Sequence, residues 1–334
     1  MPVTVTFGEV MLRLSAPGQE RLFQSTHLHT WWGGAEANVA MGLAALGVPT
    51  RHVSRLPTTA IGNAALRALM AEGVDTQEII RGGERLGLFF CEAGAAPRER
   101  QTLYDLEQSS FATLDPMAFD WKRILADASW FHVSTVTAAL GARPARAVAE
   151  ALATAHRMGV RTSLALNLRS PLWGGRDPRP IVEPLVLHAS MLVGNPGEIE
   201  RMLGIPTDGD LPEQPDAINR TARRVHEQFG CARVLVTQRQ DLSIGTQRVR
   251  AHGWEADADT FWSTPWHEVA VVDRVGSSDS FVAAYLYAQR QGYAMDRALQ
   301  FAAAASALKL TIPGDVNRVT VREIESYLAS HPEG

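Results

Sequence analysis

The sequence predicts an α/β protein built around a largely parallel β-sheet. Short β-branched runs alternate with stretches of helical periodicity, which is the pattern of successive strand–helix–strand units. Runs of this kind are typical of a parallel sheet whose strands are buried on both faces. The chain has 334 residues, of which 46% are apolar and 20% are charged, and this is the composition of a globular protein.

Six short runs are predicted to be the core strands, and helices fill the gaps between them. In chain order the strands are residues 3–7, 51–54, 130–133, 160–166, 191–193 and 233–237. Because the strands are separated by helices, neighbouring strands can run in the same direction across one sheet.

The helices are predicted from their apolar periodicity and from the residues at their ends. They cover residues 36–46, 64–72, 144–158, a segment opening at Pro196, 217–229, 281–291, 295–310 and 320–328. Four of them stop at a glycine, which is the preferred residue just beyond a helix C-terminus: Gly47, Gly73, Gly159 and Gly230. Little strand is predicted between the last three helices.

Two regions interrupt this alternation. Residues 12–32 and 86–104 have alternating, polar-rich patterns without helical periodicity. They are consistent either with a small second sheet standing off the main one, as a lid does, or with two long surface loops. The pattern alone leaves both open.

Charge and cysteine usage exclude several classes of protein. The net charge of −4 argues against a general nucleic-acid binder. Cys91 and Cys231 are far apart and form no metal or disulfide framework, which favours a reducing compartment. The N-terminus lacks the pattern of a signal peptide, and the longest apolar run, 301–308, is too short to cross a bilayer. We therefore expect a soluble, cytoplasmic protein that binds neither nucleic acid nor membrane.

The most informative segment is the turn Gly276-Ser277-Ser278-Asp279, which lies between a predicted strand and a predicted helix. Exposed backbone N–H groups and the positive end of a helix make such a turn an anion-binding site. Asp279 is then placed to accept a proton from a hydroxyl that attacks a bound phosphate. Ser-Ser-Asp is also a common helix cap, and on this segment alone capping is the commoner explanation.

A second strand–helix junction carries Gly33, Gly34 and Asn38. Paired glycines let the backbone approach a ligand closely, and Asn38 lies one helical turn further on with both a donor and an acceptor. A glycine turn followed by a solvent-facing asparagine explains the same residues.

A third junction places Asn195 and Glu198 three residues apart after a predicted strand. An amide and a carboxylate on one helix face are able to hold a hydrated Mg²⁺ beside phosphates. An ordinary helix cap is the alternative explanation.

Two further segments carry candidate ligand groups. Asn167 and Arg169 follow a predicted strand, at the edge where open α/β sheets bind ligands. Arg169 is suited to gripping a carboxylate or a phosphate, or to forming a surface ion pair. Asp315 follows a helix of buried character and lies either in a helix stop or in a loop that presents its carboxylate.

Other common ligand-binding patterns are missing from the sequence. There is no G-x-G-x-x-G after the first strand, no glycine–lysine phosphate loop of the Walker A type and no H-E-x-x-H. This argues against a dinucleotide-dependent oxidoreductase, a P-loop NTPase and a zinc hydrolase. Three tryptophans, Trp254, Trp262 and Trp266, are expected in packing or in an interface.

Taken together, the segments resemble the PfkB-type (ribokinase-like) carbohydrate kinases, most closely the 2-keto-3-deoxygluconate kinase branch. The resemblance covers nearly the whole chain and depends on the order and spacing of its motifs. These are residues 6–14, 33–40, 167–169, 172–173, 272–276, 308–309 and 311–315.

The resemblance implies one three-layer α/β/α domain over residues 1–334, with a mostly parallel central sheet and a small β-sheet lid formed by about 12–32 and 86–104. It implies ATP- and Mg²⁺-dependent phosphorylation of a sugar-acid hydroxyl, converting 2-keto-3-deoxygluconate to its 6-phosphate. In this family the lid often forms the dimer interface, so a homo-oligomer is expected. A monovalent cation near Asp273 is also compatible with the resemblance, which leaves its presence open.

The resemblance also assigns roles to individual residues. Asp279 would be the base, and the amides of Gly276, Ser277 and Ser278 would hold the transferring phosphoryl group. The sugar would be contacted by Gly33, Gly34, Asn38, Phe89, Tyr104, Leu106, Arg169 and Asp315. The nucleotide and its phosphates would be contacted by Asn167, Asn195, Glu198, Thr237 and Arg239, with Glu198 also organising Mg²⁺ indirectly.

Several positions depart from the family pattern. Ser278 replaces a glycine, and a positive φ there would cost about 1 kcal/mol or more. Leu106 replaces an arginine that binds the substrate carboxylate, and the lost contact weakens an acidic substrate by roughly 1.5–3 kcal/mol. Phe89 replaces a tyrosine, and Ala165 replaces an aspartate. Residues 238–241 lack the glycines of the usual nucleotide loop.

These departures leave three hypotheses. The first is a kinase for 2-keto-3-deoxygluconate or a related sugar acid. The second is a kinase for a less acidic sugar or a nucleoside, which Leu106 and Phe89 favour. The third is a weakened sugar- or nucleotide-binding protein on the same fold, which Ser277 and Ser278 favour.

Overall fold

The strands and helices alternate through most of the chain, as the sequence predicts. The computed structural model describes residues 2–95, 97–207, 215–243 and 245–331. In this part of the chain the strands are β1 (Val3–Phe7), β2 (Met11–Ser15), β3 (His29–Gly33), β4 (Thr50–Leu56), β5 (Ile79–Arg81), β6 (Gly87–Glu92), β7 (Gln101–Asp105), β8 (Ala128–Ser134), β9 (Arg161–Ala165), β10 (Met191–Gly194), β11 (Arg233–Ser243), β12 (Thr246–Glu255), β13 (Thr260–Ser263) and β14 (His267–Ala270).

The helices lie between these strands and after them. They are α1 (Ala35–Ala45), α2 (Ala60–Ala71), α3 (Trp121–Ile124), α4 (Thr135–Ala139), α5 (Ala142–Arg157), α6 (Ser170–Trp173), α7 (Arg179–Val186), α8 (Pro196–Leu203), α9 (Pro215–Phe229), α10 (Ser277–Arg290), α11 (Met295–Leu310) and α12 (Val321–Ser330), with a short 3₁₀ helix at Pro116–Ala118.

Ten strands form the central sheet, in the order β13-β12-β11-β10-β9-β8-β1-β4-β5, with β14 paired to β12. The strands from β11 to β5 pair in parallel, and β12, β13 and β14 add an antiparallel edge. The remaining four strands form a separate small sheet, β3-β2-β6-β7, which we call the lid. The lid confirms the interpretation of residues 12–32 and 86–104 as a second sheet.

The central sheet is covered by helices on both faces. Alternate residues of β10 show this, because Leu192 packs into one apolar cluster, whereas Met191 and Val193 pack into another. The first cluster includes apolar residues of α5, α7, α8 and α9, and the second includes those of α1, α10 and α11. The structure is therefore the mostly parallel three-layer α/β/α arrangement that was expected.

The main difference from the sequence prediction is at the antiparallel edge of the sheet. Residues 238–241, expected as a nucleotide loop, continue strand β11, which pairs with β12 along almost its whole length. Strands β12 and β13 were not predicted. In β12 the half-buried Thr246, Arg248 and Arg250 alternate with the buried Gln247, Val249 and Ala251, so the strand lacks the continuous apolar run of a buried parallel strand.

Helix ends differ from the prediction by a few residues. Helix α2 begins at Ala60 instead of residue 64, because Thr59 caps it by accepting a hydrogen bond from the Gly62 N–H group. Within the described residues, no helix is long and apolar enough to span a membrane.

Candidate active site

Three helix N-termini meet at one site. Helices α1, α8 and α10 follow Gly34, Asn195 and Gly276, which cap them. Asn38 in α1 is hydrogen-bonded to Asp279 in α10, and Asn195 lines the same cleft as the first residues of α10. The positive ends of the three helices therefore bring partial positive charge to the same region.

The turn before α10 depends on a glycine at position 276. Its φ of 84° is left-handed, and a Cβ added there would lie 1.8 Å from the carbonyl oxygen of Asp315. Ser277 and Ser278 begin α10, and neither has a positive φ. The backbone strain expected for a positive φ at Ser278 is therefore absent.

The same turn leaves backbone donors at the start of α10. Ser280 N–H bonds to the Gly276 carbonyl at 2.8 Å, which closes the first turn of the helix. The amides of Ser278 and Asp279 precede this bond and have no carbonyl of their own helix to bond to. The Ser277 hydroxyl is turned away, 2.8 Å from the hydroxyl of Ser306. This is the arrangement of an anion-binding helix terminus.

Asp279 is the titratable group at the centre of the site. Asn38 Nδ2 donates to its Oδ2 at 2.7 Å. Burial raises the pKa of Asp279 to about 7, although the hydrogen bond from Asn38 and the positive charge of Arg169 oppose the rise. A carboxylate with this pKa is able to accept a proton near neutral pH.

Gly33, Asn38 and Asp315 form a polar wall beside this carboxylate. A Cβ on Gly33 would lie 2.4 Å from Asp315 Oδ2 and 2.9 Å from Asn38 Oδ1, so only glycine leaves room for both groups. Asn38 Oδ1 accepts from Gly34 N–H at 3.4 Å. Asp315 Oδ2 is buried and has no hydrogen-bond partner, which makes it a ready acceptor for a ligand hydroxyl.

The remaining sugar-side residues come from the lid and from the loop after β9. Phe89 stacks on Tyr104 with ring centroids 6.0 Å apart. Phe89 and Leu106 are each 6% exposed and belong to one apolar cluster with Met11. The structure thus places Leu106 in an apolar layer under the lid. Burial raises the pKa of Tyr104, and the charge of Arg169 opposes this rise, as it does at Asp279.

A cleft of about 460 Å³ opens on the other side of the α10 turn. Its lining includes five of the predicted residues: Asn195, Thr237, Arg239, Ser277 and Ser278. Burial, together with the guanidinium groups of Arg274 and Arg100, lowers the pKa of Arg239. Such crowding of positive charge favours an anionic ligand in the cleft.

Asn167 and Glu198 are not among the residues that line this cleft. Glu198 Oε2 accepts from Asn195 N–H at 3.0 Å, and Glu198 Oε1 accepts from Leu168 N–H at 3.1 Å. The Asn167 N–H donates to the Thr135 hydroxyl at 3.0 Å. Glu198 therefore ties the start of α8 to the loop after β9.

The donor set fits a magnesium ion that arrives with a nucleotide. Among the residues that the structure describes, no three acidic, histidine or cysteine side chains form a metal cage. Mg²⁺ commonly keeps several waters and is held by phosphates with one or two carboxylates. Both Glu198 oxygens already accept backbone N–H groups, so this carboxylate would hold such an ion through a bound water.

Sequence reasoning missed several residues of the site. Trp266 lines the cleft, and the guanidinium groups of Arg248 and Arg250 lie 4.6 Å and 4.4 Å from the centroid of its ring. Trp254, in contrast, is buried in the core. The alternation of arginines in β12 was the available signal. Arg13, which lies in the motif of residues 6–14, was not predicted as a site residue, and it bridges Asp315 and Asp273 at 2.7 Å and 2.8 Å.

Comparison with known proteins extends this picture to the whole chain. The family model described as pfkB family carbohydrate kinase matches residues 1–321. A curated relative, the 2-dehydro-3-deoxygalactonokinase of Haloferax volcanii, is 33% identical over 332 residues, covering 99% of this chain and 98% of the relative.

Solved structures agree. The 2-dehydro-3-deoxygluconokinase of Thermotoga maritima is 37% identical, with a TM-score of 0.93 over 99% of this chain and 100% of that one. A PfkB family carbohydrate kinase of Listeria grayi is 29% identical, with a TM-score of 0.90 over 98% and 99% of the two chains. The match of one family model along nearly the whole sequence, together with these relatives, shows that the chain is a phosphotransferase that belongs to the pfkB family of carbohydrate kinases.

Proposed function

We propose that this protein transfers the γ-phosphoryl group of ATP to the terminal hydroxyl of a six-carbon 2-keto-3-deoxy sugar acid, giving the 6-phosphate. The observation that carries the proposal is the position of Asp279. It lies at the N-terminus of α10, between the polar wall of Gly33, Asn38 and Asp315 and the cationic cleft. The names of the relatives support a gluconate- or galactonate-type acceptor, and we favour 2-keto-3-deoxygluconate.

In the proposed reaction, Asp279 accepts the proton of the acceptor hydroxyl while the oxygen of that hydroxyl forms a bond to the γ-phosphorus. The bond from that phosphorus to the bridging oxygen of ADP breaks, and ADP leaves with the electron pair. The amides of the Gly276–Ser278 turn stabilise negative charge on the transferring group. Mg²⁺ bound to the nucleotide supplies further charge neutralisation.

The other residues position the two substrates. Asn38 holds the Asp279 carboxylate, and the unpartnered Asp315 oxygen accepts from a sugar hydroxyl. Arg169, near both Asp279 and Tyr104, provides a positive charge for the acid group of the acceptor. Positioning and charge neutralisation account for most of the catalysis in a transfer of this type.

On the nucleotide side, Asn195, Thr237 and Arg239 contact ATP in the cleft. The crowded positive charge around Arg239 supports binding of the phosphates. Asn167 and Glu198 act from outside the lining of the cleft by holding the loop after β9 against α8.

We further propose a homo-oligomer that forms through the lid. Phe23, in the segment between β2 and β3, is 70% exposed although its ring lies tilted against that of Phe90 with centroids 5.6 Å apart. Leu103 of β7 is 38% exposed. Exposed apolar side chains of this kind support a protein–protein contact at the lid.

A second candidate is a kinase for a less acidic sugar or a nucleoside. The apolar layer formed by Phe89, Leu106 and Met11 favours it, because this layer offers no charge to a carboxylate. Burial also raises the pKa of the neighbouring Glu9 to about 8, so this acid is largely neutral at pH 7.

Replacing the proposed base tests the assignment. We expect Asp279→Asn to lower kcat about 10²–10⁴-fold, because the acceptor hydroxyl loses its proton acceptor. Release of ADP is measured with ATP·Mg²⁺ and, in turn, 2-keto-3-deoxygluconate, its galactonate epimer, gluconate, fructose, ribose and adenosine. Asp296→Asn is the matched control, since Asp296 is exposed in the first turn of α11. Unchanged turnover in Asp279→Asn contradicts the mechanism, and binding of a sugar without any turnover favours the binding-protein hypothesis.

The raised pKa of Asp279 predicts the pH dependence of both activity and stability. Below pH 7 the carboxyl is protonated, so kcat/KM should fall about tenfold per pH unit. Since the folded pKa lies above the ordinary value of 3.8, wild-type stability is lost as the pH rises from about 4 through 7. Urea titrations should therefore show Asp279→Asn more stable than wild type at pH 8, with the difference vanishing near pH 4. Equal curves at both pH values would show that the carboxyl has an ordinary pKa.

Restoring a charge under the lid separates the two candidate acceptors. Leu106→Arg should raise kcat/KM for the keto acid about 10–100-fold, because a charge-assisted contact is worth roughly 1.5–3 kcal/mol, and should leave neutral sugars unimproved. Met70→Arg, at an exposed position of α2, is the control for an added charge. Two results together support the second candidate and not the first. The wild type prefers a neutral sugar, and Leu106→Arg does not raise kcat/KM for acidic acceptors.

A further inference from the structure

One buried cation has no part in the mechanism above. Of the 32 lysines and arginines only two are lysines, which leaves 30 arginines. Lys122 is exposed on α3, whereas Lys309, on α11, has no exposed surface. Removing an ammonium group from water costs several kcal/mol unless the charge is paired and hydrogen-bonded. A lysine at this position therefore requires a specific environment.

Lys309 lies directly behind the turn that begins α10. Its Cε is 3.4 Å from the position of a Cβ built on Gly276, and its Nζ donates to the Ile312 carbonyl at 2.9 Å. Burial lowers the pKa of Lys309, and the carboxylates of Asp273 and Asp315 oppose this by favouring the charged form.

Apart from the two carboxylates, the partial charge of the helix terminus acts against a cation at this position. A helix N-terminus carries partial positive charge, so an ammonium group beside it is repelled. The same charge becomes favourable when a phosphoryl group binds at the turn. Lys309 thus contributes most when the anion site in front of Gly276 is filled.

A second cation belongs to the same cluster. Arg13 donates from Nη1 to Asp315 Oδ1 at 2.7 Å and from Nη2 to Asp273 Oδ2 at 2.8 Å. The two carboxylates are therefore balanced by two side-chain cations. Because Asp315 also lends its carbonyl oxygen to the close contact with Gly276, the cluster fixes the turn from behind.

The groups near Asp273 do not fit the monovalent cation that the sequence left open. Asp273 Oδ1 accepts from Val275 N–H at 3.1 Å, and Oδ2 accepts from Gly314 N–H at 3.0 Å as well as from Arg13. The nearby Ile312 carbonyl accepts from Lys309. These oxygens are already engaged, and their negative charge is already neutralised.

We propose that Lys309, together with Arg13, is a built-in cation that holds the phosphate-binding turn of α10 in place and makes phosphoryl transfer independent of monovalent metal ions. Lys309 is a positioning residue, since it acts through the Gly276 turn. The choice of lysine in an arginine-rich chain agrees with this, because a compact ammonium resembles a monovalent ion more closely than a planar guanidinium does. The inference rests on the proposed function.

The test compares potassium with tetramethylammonium chloride at constant ionic strength. ADP release with the keto acid, and ATP·Mg²⁺ affinity by calorimetry, are measured for wild type, Lys309→Met, Lys309→Ala and the control Lys122→Met, with thermal unfolding of each.

The rate of ADP release by wild type and by Lys122→Met should vary less than about twofold with potassium. Lys309→Met should lose about tenfold or more in kcat, since charge behind an anion site is removed, with little change in the acceptor KM. Potassium or ammonium ions should restore part of the activity of Lys309→Ala.

Two results overturn the inference. One is an increase of more than about fivefold in the rate of ADP release by the wild type when potassium is present. This measurement does not depend on the folding of any variant. The other is a folded Lys309→Met with unchanged kcat and unchanged ATP·Mg²⁺ affinity. If wild type phosphorylates none of the acceptors, the proposed function fails, and the calorimetric comparison of wild type with Lys309→Met still decides the role of Lys309.

Discussion

The hydrogen bond from Asn38 to Asp279 joins two helices whose contacting residues are 241 positions apart in the chain. It fixes the first turn of α10 against α1, and so it sets the distance between the candidate base and the wall that faces the sugar. Burial at this junction raises the pKa of Asp279 to about 7, which suits a proton acceptor and costs stability at neutral pH. Burial of Asp279 thus favours proton acceptance at neutral pH and lowers the folding stability.

The junction depends on two backbone positions that carry no side chain. Gly33 leaves the Asp315 carboxylate beside Asn38, and Gly276 lets the α10 turn rest on the Asp315 carbonyl. Asp315 therefore contacts both halves of the site, and Arg13 ties it to the lid strand β2. The lid strand β2, the polar wall and the α10 turn are therefore linked through this one residue.

The sequence predicted the parallel core and the junctions at Gly34, Asn195 and Gly276, since strand–helix alternation and capping residues are local signals. It did not predict β12 or the continuation of β11 through residues 238–241, because both segments contain many polar residues and lack the continuous apolar run of the buried parallel strands. Nor did it show that Leu106 packs with Met11 and Phe89 in one apolar cluster, because that contact depends on how the lid strands pair. Whether Trp254 or Trp266 lines the cleft is decided by tertiary packing and not by spacing.

The most direct test is to identify the products of a complete turnover by ³¹P NMR, with ATP·Mg²⁺ and 2-keto-3-deoxygluconate as substrates. The account predicts ADP and a phosphate monoester on the terminal carbon in equal amounts, with no monoester formed by Asp279→Asn. Phosphate appearing only as the inorganic ion, or a monoester formed equally well by that variant, would contradict the assignment of Asp279 as the base of a sugar-acid kinase.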